Sequence, residues 1–232
     1  MKAVILAAGK GERLGTITNS IPKPMIVINQ KPVLEHNIIM CRENGINEII
    51  INLHHLPHVI KDYFGNGNNW GVKIEYIFEP ELLGSSGTVK NIRHLLDKSF
   101  FVIYGDNYFN NDIDMFAIRK FHESNRSDLT IILSLLDDIS QSGIVELTDN
   151  CKITNFIEKP INQGNINNWV NAGLYFLEQK ILEEIDDGYS DFGRDVIPLL
   201  INFDYDIYGF KMKKRVIPID TLDLLGKQLT IN

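Results

Sequence analysis

The sequence predicts an α/β protein: a single domain over residues 1–232, with a mixed, mainly parallel sheet flanked by helices. Three observations carry this reading. An apolar run over residues 1–8 opens into the bend Gly9-Lys10-Gly11, the pattern of a buried strand feeding a loop. Strand-like and helix-like runs then alternate as far as residue 104, which predicts parallel strands joined by right-handed crossovers. From residue 129 the strand signals crowd together, which predicts antiparallel additions in the second half.

Each element has a local reason. Pro32-Val33-Leu34 starts a helix with Pro at its first position; Leu34, Ile38 and Cys41 share a face, and Asn44-Gly45 ends it. Residues 48–53 read as a buried strand. Residues 56–64 form a short helix with Val59, Ile60, Tyr63 and Phe64 inward, closed by Gly65-Asn66-Gly67. Residues 72–78 are the third strand, 86–96 a helix by the spacing of Val89, Ile92, Leu95 and Leu96, and 100–104 the fourth strand. In the second half, 129–136 is a long apolar strand. Residues 143–147 and 153–158 form a hairpin, 169–177 another strand, and 216–219 a last strand before a closing helix.

Composition narrows the function. The chain is 44% hydrophobic and 23% charged, ordinary for a globular protein of 232 residues. Its net charge of −7 argues against broad binding to nucleic acid or to an anionic membrane. No apolar run approaches the roughly 20 residues that span a bilayer, and the N-terminal run leads into a glycine loop rather than a cleavage site. Cys41 and Cys151 make neither a disulfide framework nor a metal motif. A cytoplasmic protein is expected.

The glycine bend reads as a phosphate-binding loop. Glycines let backbone N–H groups approach an anion without a Cβ in the way, and Arg13 and Lys23 add positive charge. It is not the dinucleotide fingerprint: Leu14 occupies the third glycine position, and the next strand ends Asn52-Leu53-His54 without the ribose-binding acid. Nor does it match G-x-x-x-x-G-K-[ST]. In open α/β sheets ligands collect beyond the carboxyl ends of the strands, where this loop and Asp106 both belong. A carboxylate facing phosphates needs a bridging cation, and Mg²⁺ takes one or two carboxylates plus substrate oxygens. Asp220, after the last strand, is the candidate second carboxylate. Glu158-Lys159-Pro160 ends another strand, and its Lys159 could neutralise a second phosphate.

Taken in order, the motifs resemble the sugar-1-phosphate nucleotidyltransferases, or NDP-sugar pyrophosphorylases. They are Leu6-Ala7-Ala8-Gly9-Lys10-Gly11-Glu12-Arg13-Leu14, Pro22-Lys23-Pro24-Met25, Glu81-Leu82-Leu83-Gly84-Ser85-Ser86-Gly87, Gly105-Asp106, Phe156-Ile157-Glu158-Lys159-Pro160 and Asn171-Ala172-Gly173. The resemblance implies a Rossmann-like (GT-A-like) fold and an enzyme that joins an NTP to a sugar 1-phosphate, releasing pyrophosphate. By resemblance, Ala7, Ala8, Gly9, Gly11 and Arg13 hold the triphosphate, with Lys23 at the reacting phosphate. Asp106 and Asp220 look like ligands of a Mg²⁺ cofactor. Lys159 would bind the sugar phosphate, Glu158, Asn171 and the Gly143 backbone the sugar hydroxyls, and Glu79 and Gly84 the base. The catalytic set implied is Arg13, Lys23, Asp106 and Lys159, and the reading leaves room for a homodimer.

The likeness is nearest to mannose-1-phosphate and heptose-1-phosphate guanylyltransferases, through Leu83-Gly84-Ser85-Ser86-Gly87, and GTP is favoured. Pro218-Ile219-Asp220-Thr221-Leu222 instead resembles glucose-1-phosphate cytidylyltransferases, which keeps CTP open. Glu12 stands where the family often has Thr or Ser, so its carboxylate must turn outward or meet a cation. The chain shows no β-helix acyltransferase domain or long helical tail, so nucleotidyl transfer alone is expected. Two alternatives stand: a phosphocholine cytidylyltransferase, suggested by Gly105-Asp106-Asn107-Tyr108, and a non-catalytic nucleotide- or sugar-sensing relative. His54, His55 and His58 lack the geometry and fourth ligand of a zinc site. Asp112 and Asp114 lack the glycine and terminal Glu of a calcium loop. Trp70 and Trp169 read as packing residues, and Lys211-Met212-Lys213-Lys214-Arg215 as a solvated turn.

Overall fold

The computed structural model describes residues 1–109, 113–136, 139–140, 142–159 and 168–219. They divide between two compact units, one drawn from Met1–Leu82, Ile103–Ile113 and Val216–Asn232 and the other from Leu83–Val102 and Asp114–Arg215, each described over those residues only.

The first unit begins with β1 (Lys2–Leu6), whose Ala3, Val4 and Ile5 are fully buried. Tight helical turns over Glu12–Asn19 and Lys23–Met25 lead to a small hairpin of β2 (Val27–Ile28) and β3 (Lys31–Pro32). The helix α1 (Val33–Glu43) follows, then β4 (Glu48–Leu53), α2 (Pro57–Phe64) and β5 (Lys73–Phe78). β1 pairs in parallel with β4, and β4 with β5. Runs such as Ile49-Ile50-Ile51 are buried throughout, as strands covered on both faces require. The register sets Leu6 opposite Asn52 and Asn52 opposite Ile77, so the carboxyl ends of these strands are level. The end of β6 (Ser99–Tyr104) enters this unit beside β1. β7 (Asn107–Tyr108) then pairs antiparallel with β13 (Ile217–Pro218). Leu14, Ile26, Ile28, Val33, Tyr108 and Ile219 make one buried cluster, which anchors the segment after the glycine bend.

The second unit opens with α3 (Gly84–Asn91) and the first residues of β6. It adds α4 (Met115–Asn125), β8 (Leu129–Leu135), β9 (Gly143–Leu147), β10 (Ile153–Glu158), β11 (Trp169–Glu178), α5 (Ile197–Asn202) and β12 (Ile207–Lys211). β10–β9, β9–β11 and β11–β8 are antiparallel, while β12 runs parallel to β8. The mixed sheet and its antiparallel second half therefore follow the sequence expectation.

Several boundaries differ from it. The helix expected over 86–96 ends at Asn91, and a tight turn Arg93–Leu95 takes its place. The last strand is only Ile217–Pro218, because Pro218 has no N–H to extend the ladder. The closing helix lies outside the described residues, as does Asp112 of the calcium-like stretch. Lys211 belongs to β12 rather than to a turn, and its ammonium lies 5.2 Å from the Trp169 ring centroid, which gives both residues a cation–π partner. Burial holds the Cys41 thiol up at about 12, so it is an inert core side chain. No helix among the described residues is long and apolar enough to cross a membrane.

Candidate functional site

In the first unit, the glycine bend, Lys23 and Asp106 converge. Gly105 brings the end of β6 against the end of β1: its N–H donates to the Leu6 carbonyl at 2.9 Å, and a Cβ there would lie 2.8 Å from that oxygen. Only glycine allows so close an approach. The turn is held further by Ile219 N–H on the Asp106 carbonyl and by the Asn37 amide on the Gly105 carbonyl. Asp106 thus projects from a fixed turn, its side chain 28% exposed, and its Oδ2 accepts from the buried Lys23 ammonium at 2.5 Å. Lys23 is delivered by Pro22-Lys23-Pro24, whose prolines pre-set the turn.

Gly11 has φ +66°, a left-handed conformation, and a Cβ there would lie 2.9 Å from Thr18 Cγ2 and 3.1 Å from Lys23 Cβ. Thr18 braces the bend by donating to the Gly11 and Gly15 carbonyls. Gly9 is exposed, with nothing within 4 Å of its would-be Cβ. The two glycines should therefore respond differently to Ala. Gly11→Ala is expected to lose about 1–2 kcal/mol from left-handed strain and crowding, or roughly 2–8 °C in Tm. Gly9→Ala should leave Tm within about 1 °C and show its effect on nucleotide KM; scanning calorimetry beside kinetics separates them.

Ala7 and Ala8 are buried at the root of the loop. The Ala7 N–H donates to Asn52 Oδ1 at 2.8 Å, and Asn52 Nδ2 donates to Glu79 Oε1 at 3.0 Å. His54 and His55 bond backbone carbonyls, of Glu79 at 2.8 Å and Thr18 at 2.6 Å, so both are spent on local structure. The side chains of Glu12 and Arg13 and the whole of Asp220 lie outside what the structure describes.

The second unit gathers Gly84, Gly143, Glu158, Lys159 and Asn171, with residues that sequence reasoning missed. Gly84 (φ +75°) opens α3 against the Ser190 backbone, whose carbonyl accepts from both Ser86 and Gly87 N–H at 3.1 Å. Ser85 Oγ donates to Asp191 Oδ2, and the Gly193 N–H donates to Asp191 Oδ1. Glu158 ends β10 between two glycines: a Cβ on either Gly143 or Gly193 would lie 2.7 Å from its Oε2. Asn171 forms a bulge in β11, its Oδ1 accepting from Gly173 N–H and its Nδ2 donating to Tyr175 Oη. Lys159 is exposed at φ +49°, with its N–H on the Ser142 carbonyl. Asp191 and Gly193 left one legible signal, a polar-glycine run before an apolar helix; their tie to Glu158 is tertiary and invisible in sequence.

Burial, then the Asp191 charge, raises the Glu158 carboxyl above the ordinary carboxylate range, against the opposing pull of Lys159 and Arg194. A folded value above the unfolded one means that its stabilising contribution is present at acid pH and fades as pH rises through the folded value. Glu158→Gln should therefore raise Tm at pH 7 relative to the parent. The difference should shrink as pH falls into the carboxylate range. A flat difference across pH, read by thermal melts, would remove the desolvation argument.

Comparison with known proteins identifies the family. The family model described as nucleotidyl transferase matches residues 2–215. A UTP–glucose-1-phosphate uridylyltransferase of Synechocystis is 37% identical over 227 residues, covering 91% of this chain and 58% of that protein. The chain thus spans somewhat more than half of that relative's length. A D-glycero-alpha-D-manno-heptose 1-phosphate guanylyltransferase of Campylobacter jejuni is 33% identical over 184 residues, 79% of each chain. Among solved structures, HddC from Yersinia pseudotuberculosis superposes with a TM-score of 0.81 at 30% identity, covering 98% of this chain and 97% of that one, and has also been solved in complex with GMP-PN. The chain belongs to the nucleotidyl transferase family.

Proposed function

We propose that this protein transfers a nucleoside monophosphate from GTP to a sugar 1-phosphate, with Mg²⁺, giving an NDP-sugar and pyrophosphate. The observation that carries the reading is the meeting of glycine bend, buried Lys23 and partly exposed Asp106 in one unit. A lysine and a carboxylate beside glycine-rich backbone suit a polyanion with its counter-cation better than either alone.

In the reaction, an oxygen of the sugar phosphate attacks the α-phosphorus, and the bond from that phosphorus to the β-bridging oxygen breaks. Pyrophosphate leaves with the electron pair. The sugar phosphate is already anionic, so no general base is needed, and catalysis is alignment plus charge stabilisation. Backbone at Ala7, Ala8, Gly9 and Gly11, with Arg13, would cradle the triphosphate, and Lys23 would meet the reacting phosphate. Asp106 offers a hard oxygen donor on a fixed turn, which suits Mg²⁺, and Asp220 would be its second carboxylate. Bound there, the ion would neutralise charge on the phosphates. Lys159 would bind the sugar phosphate, with Glu158, Asn171 and Gly143 meeting hydroxyls.

The base is argued from Glu79 and Gly84. Guanine presents two adjacent N–H donors on its pairing edge, which a carboxylate accepts in a fork; cytosine presents one donor beside two acceptors. The guanylyltransferase relative and the GMP-PN complex of the Yersinia protein support GTP, while the uridylyltransferase relative keeps UTP in the comparison.

Thermal melts with GTP, CTP, UTP and dTTP, each with Mg²⁺, test the base. A ligand at about 100 Kd stabilises by about 2.7 kcal/mol, or roughly 5–11 °C here. Pyrophosphate release is then measured with glucose, mannose and manno-heptose 1-phosphates and with choline phosphate. The greatest shift with CTP would move the assignment to a cytidylyltransferase. No pyrophosphate from any pair would leave a nucleotide- or sugar-sensing protein.

A further inference from the structure

We infer that Asn52 is the positioning residue of the nucleotide subsite, tying the root of the glycine loop to the acceptor that meets the base. The inference rests on the nucleotidyl-transfer reading above, and deepens it. Asn52 is the penultimate residue of β4, level with Leu6 of β1 and Ile77 of β5, so its side chain stands between the two segments that follow those strands. One amide group serves both: Oδ1 accepts from Ala7 N–H at 2.8 Å, and Nδ2 donates to Glu79 Oε1 at 3.0 Å. Ala7 is 1% exposed, and Asn52 and Glu79 are each 3% exposed, so the relay is shielded from water and each bond is hard to replace.

The chemistry is directional. An N–H can bond only to the oxygen of the amide, so Ala7 fixes which way Asn52 faces. The amide nitrogen is thereby committed to Glu79, which must accept. Glu79 is pinned a second time through its backbone, its N–H on the Leu53 carbonyl and its own carbonyl on His54. The result is a carboxylate held as an acceptor beside the loop, a demand for a base with N–H donors that is written by a neutral side chain on another strand. The sequence gives Asn52 no motif; as a strand-end residue it reads as the missing ribose acid of a different fold.

Asn52→Asp keeps the acceptor for Ala7 but sets carboxylate against carboxylate at Glu79. The double variant Asn52→Asp/Glu79→Gln restores the relay with donor and acceptor exchanged, leaving residue 79 a single carbonyl for the base. Steady-state kinetics with GTP and with ITP, whose base lacks the second donor, are read beside Tm. Asn52→Asp should raise KM for both nucleotides 10-fold or more, with KM for the sugar phosphate within 2-fold. The double variant should recover Tm and the ITP KM to within about 3-fold, while the preference for GTP over ITP falls toward one.

An unchanged nucleotide KM in Asn52→Asp, or a double variant that regains Tm but not the ITP KM, would overturn the assignment and leave Asn52 a purely structural bond. If the parent protein releases no pyrophosphate from any nucleotide, the nucleotidyl-transfer reading fails by itself. Asn52 is then judged from the GTP-induced Tm shift, which Asn52→Asp should abolish and the double variant restore; a shift that survives Asn52→Asp would overturn it there too.

Discussion

Asp106→Asn is expected to reduce Mg²⁺-dependent turnover by about 10³-fold, the scale of removing one preorganised electrostatic contact from a transition state, while the protein stays folded. The two halves of that expectation come from the same contact. Asp106 Oδ2 is 2.5 Å from Lys23 Nζ, and the turn beneath it is fixed by backbone bonds through Gly105 and Ile219 that the substitution does not touch. Asn keeps an oxygen for Lys23, so the pair loses charge but not shape. With the carboxylate 28% exposed but the Lys23 ammonium buried, the stability change should be about 1–3 kcal/mol, because the ammonium keeps a hydrogen bond and loses its counter-charge. What Asn cannot do is offer an anionic oxygen to a divalent cation. Turnover measured against Mg²⁺ should therefore show a raised half-saturation as well as a lowered maximum. Parent-like rates at saturating Mg²⁺ would remove Asp106 from the metal assignment. The Lys23 contact would then be the whole of its role.

The parallel first half was legible because its signals are local. Ala3-Val4-Ile5 and Ile49-Ile50-Ile51 are unbroken apolar runs, and glycine or asparagine marks the ends of their neighbours. α4 was harder to see: its buried stripe is Met115, Ile118 and His122, so a polar residue stands where the periodicity needs an apolar one. His122 is reconciled to burial by Thr130, with which it shares a hydrogen bond at 2.9 Å, and burial lowers its pKa, which favours the neutral ring. That compensation belongs to tertiary structure. The same holds for the candidate sites. Gly9, Gly11, Lys23, Asp106, Glu158 and Lys159 belong to short motifs. Asn52, Asp191 and Gly193 act through partners 25 or more residues away, as in Asn52 to Glu79 and Gly193 beside Glu158. Sequence spacing has no means of reporting such pairs.

Lys159 presents a second large effect, in which stability and function move in opposite directions. A lysine at φ +49° occupies the left-handed region, at a cost of about 1–2 kcal/mol for a residue with a Cβ. Its N–H is bonded to the Ser142 carbonyl, which fixes the backbone there, and its side chain is exposed. Lys159→Gly removes the strain and should raise Tm by roughly 2–8 °C, less whatever Gly gives back through the freedom of the unfolded chain. Lys159→Ala keeps the strain and should leave Tm near the parent. Both delete the ammonium. A charge-assisted hydrogen bond to phosphate is worth about 1.5–3 kcal/mol, so both should raise KM for the sugar phosphate by about 10–150-fold, with nucleotide KM unchanged. The pairing is informative because the Gly and Ala variants share one property and differ in the other. If KM followed Tm, so that Ala resembled the parent and Gly did not, the backbone rather than the charge would be what the site uses. If both KM values stayed at the parent level, Lys159 would have no part in holding the sugar phosphate, and the strained turn would need another explanation.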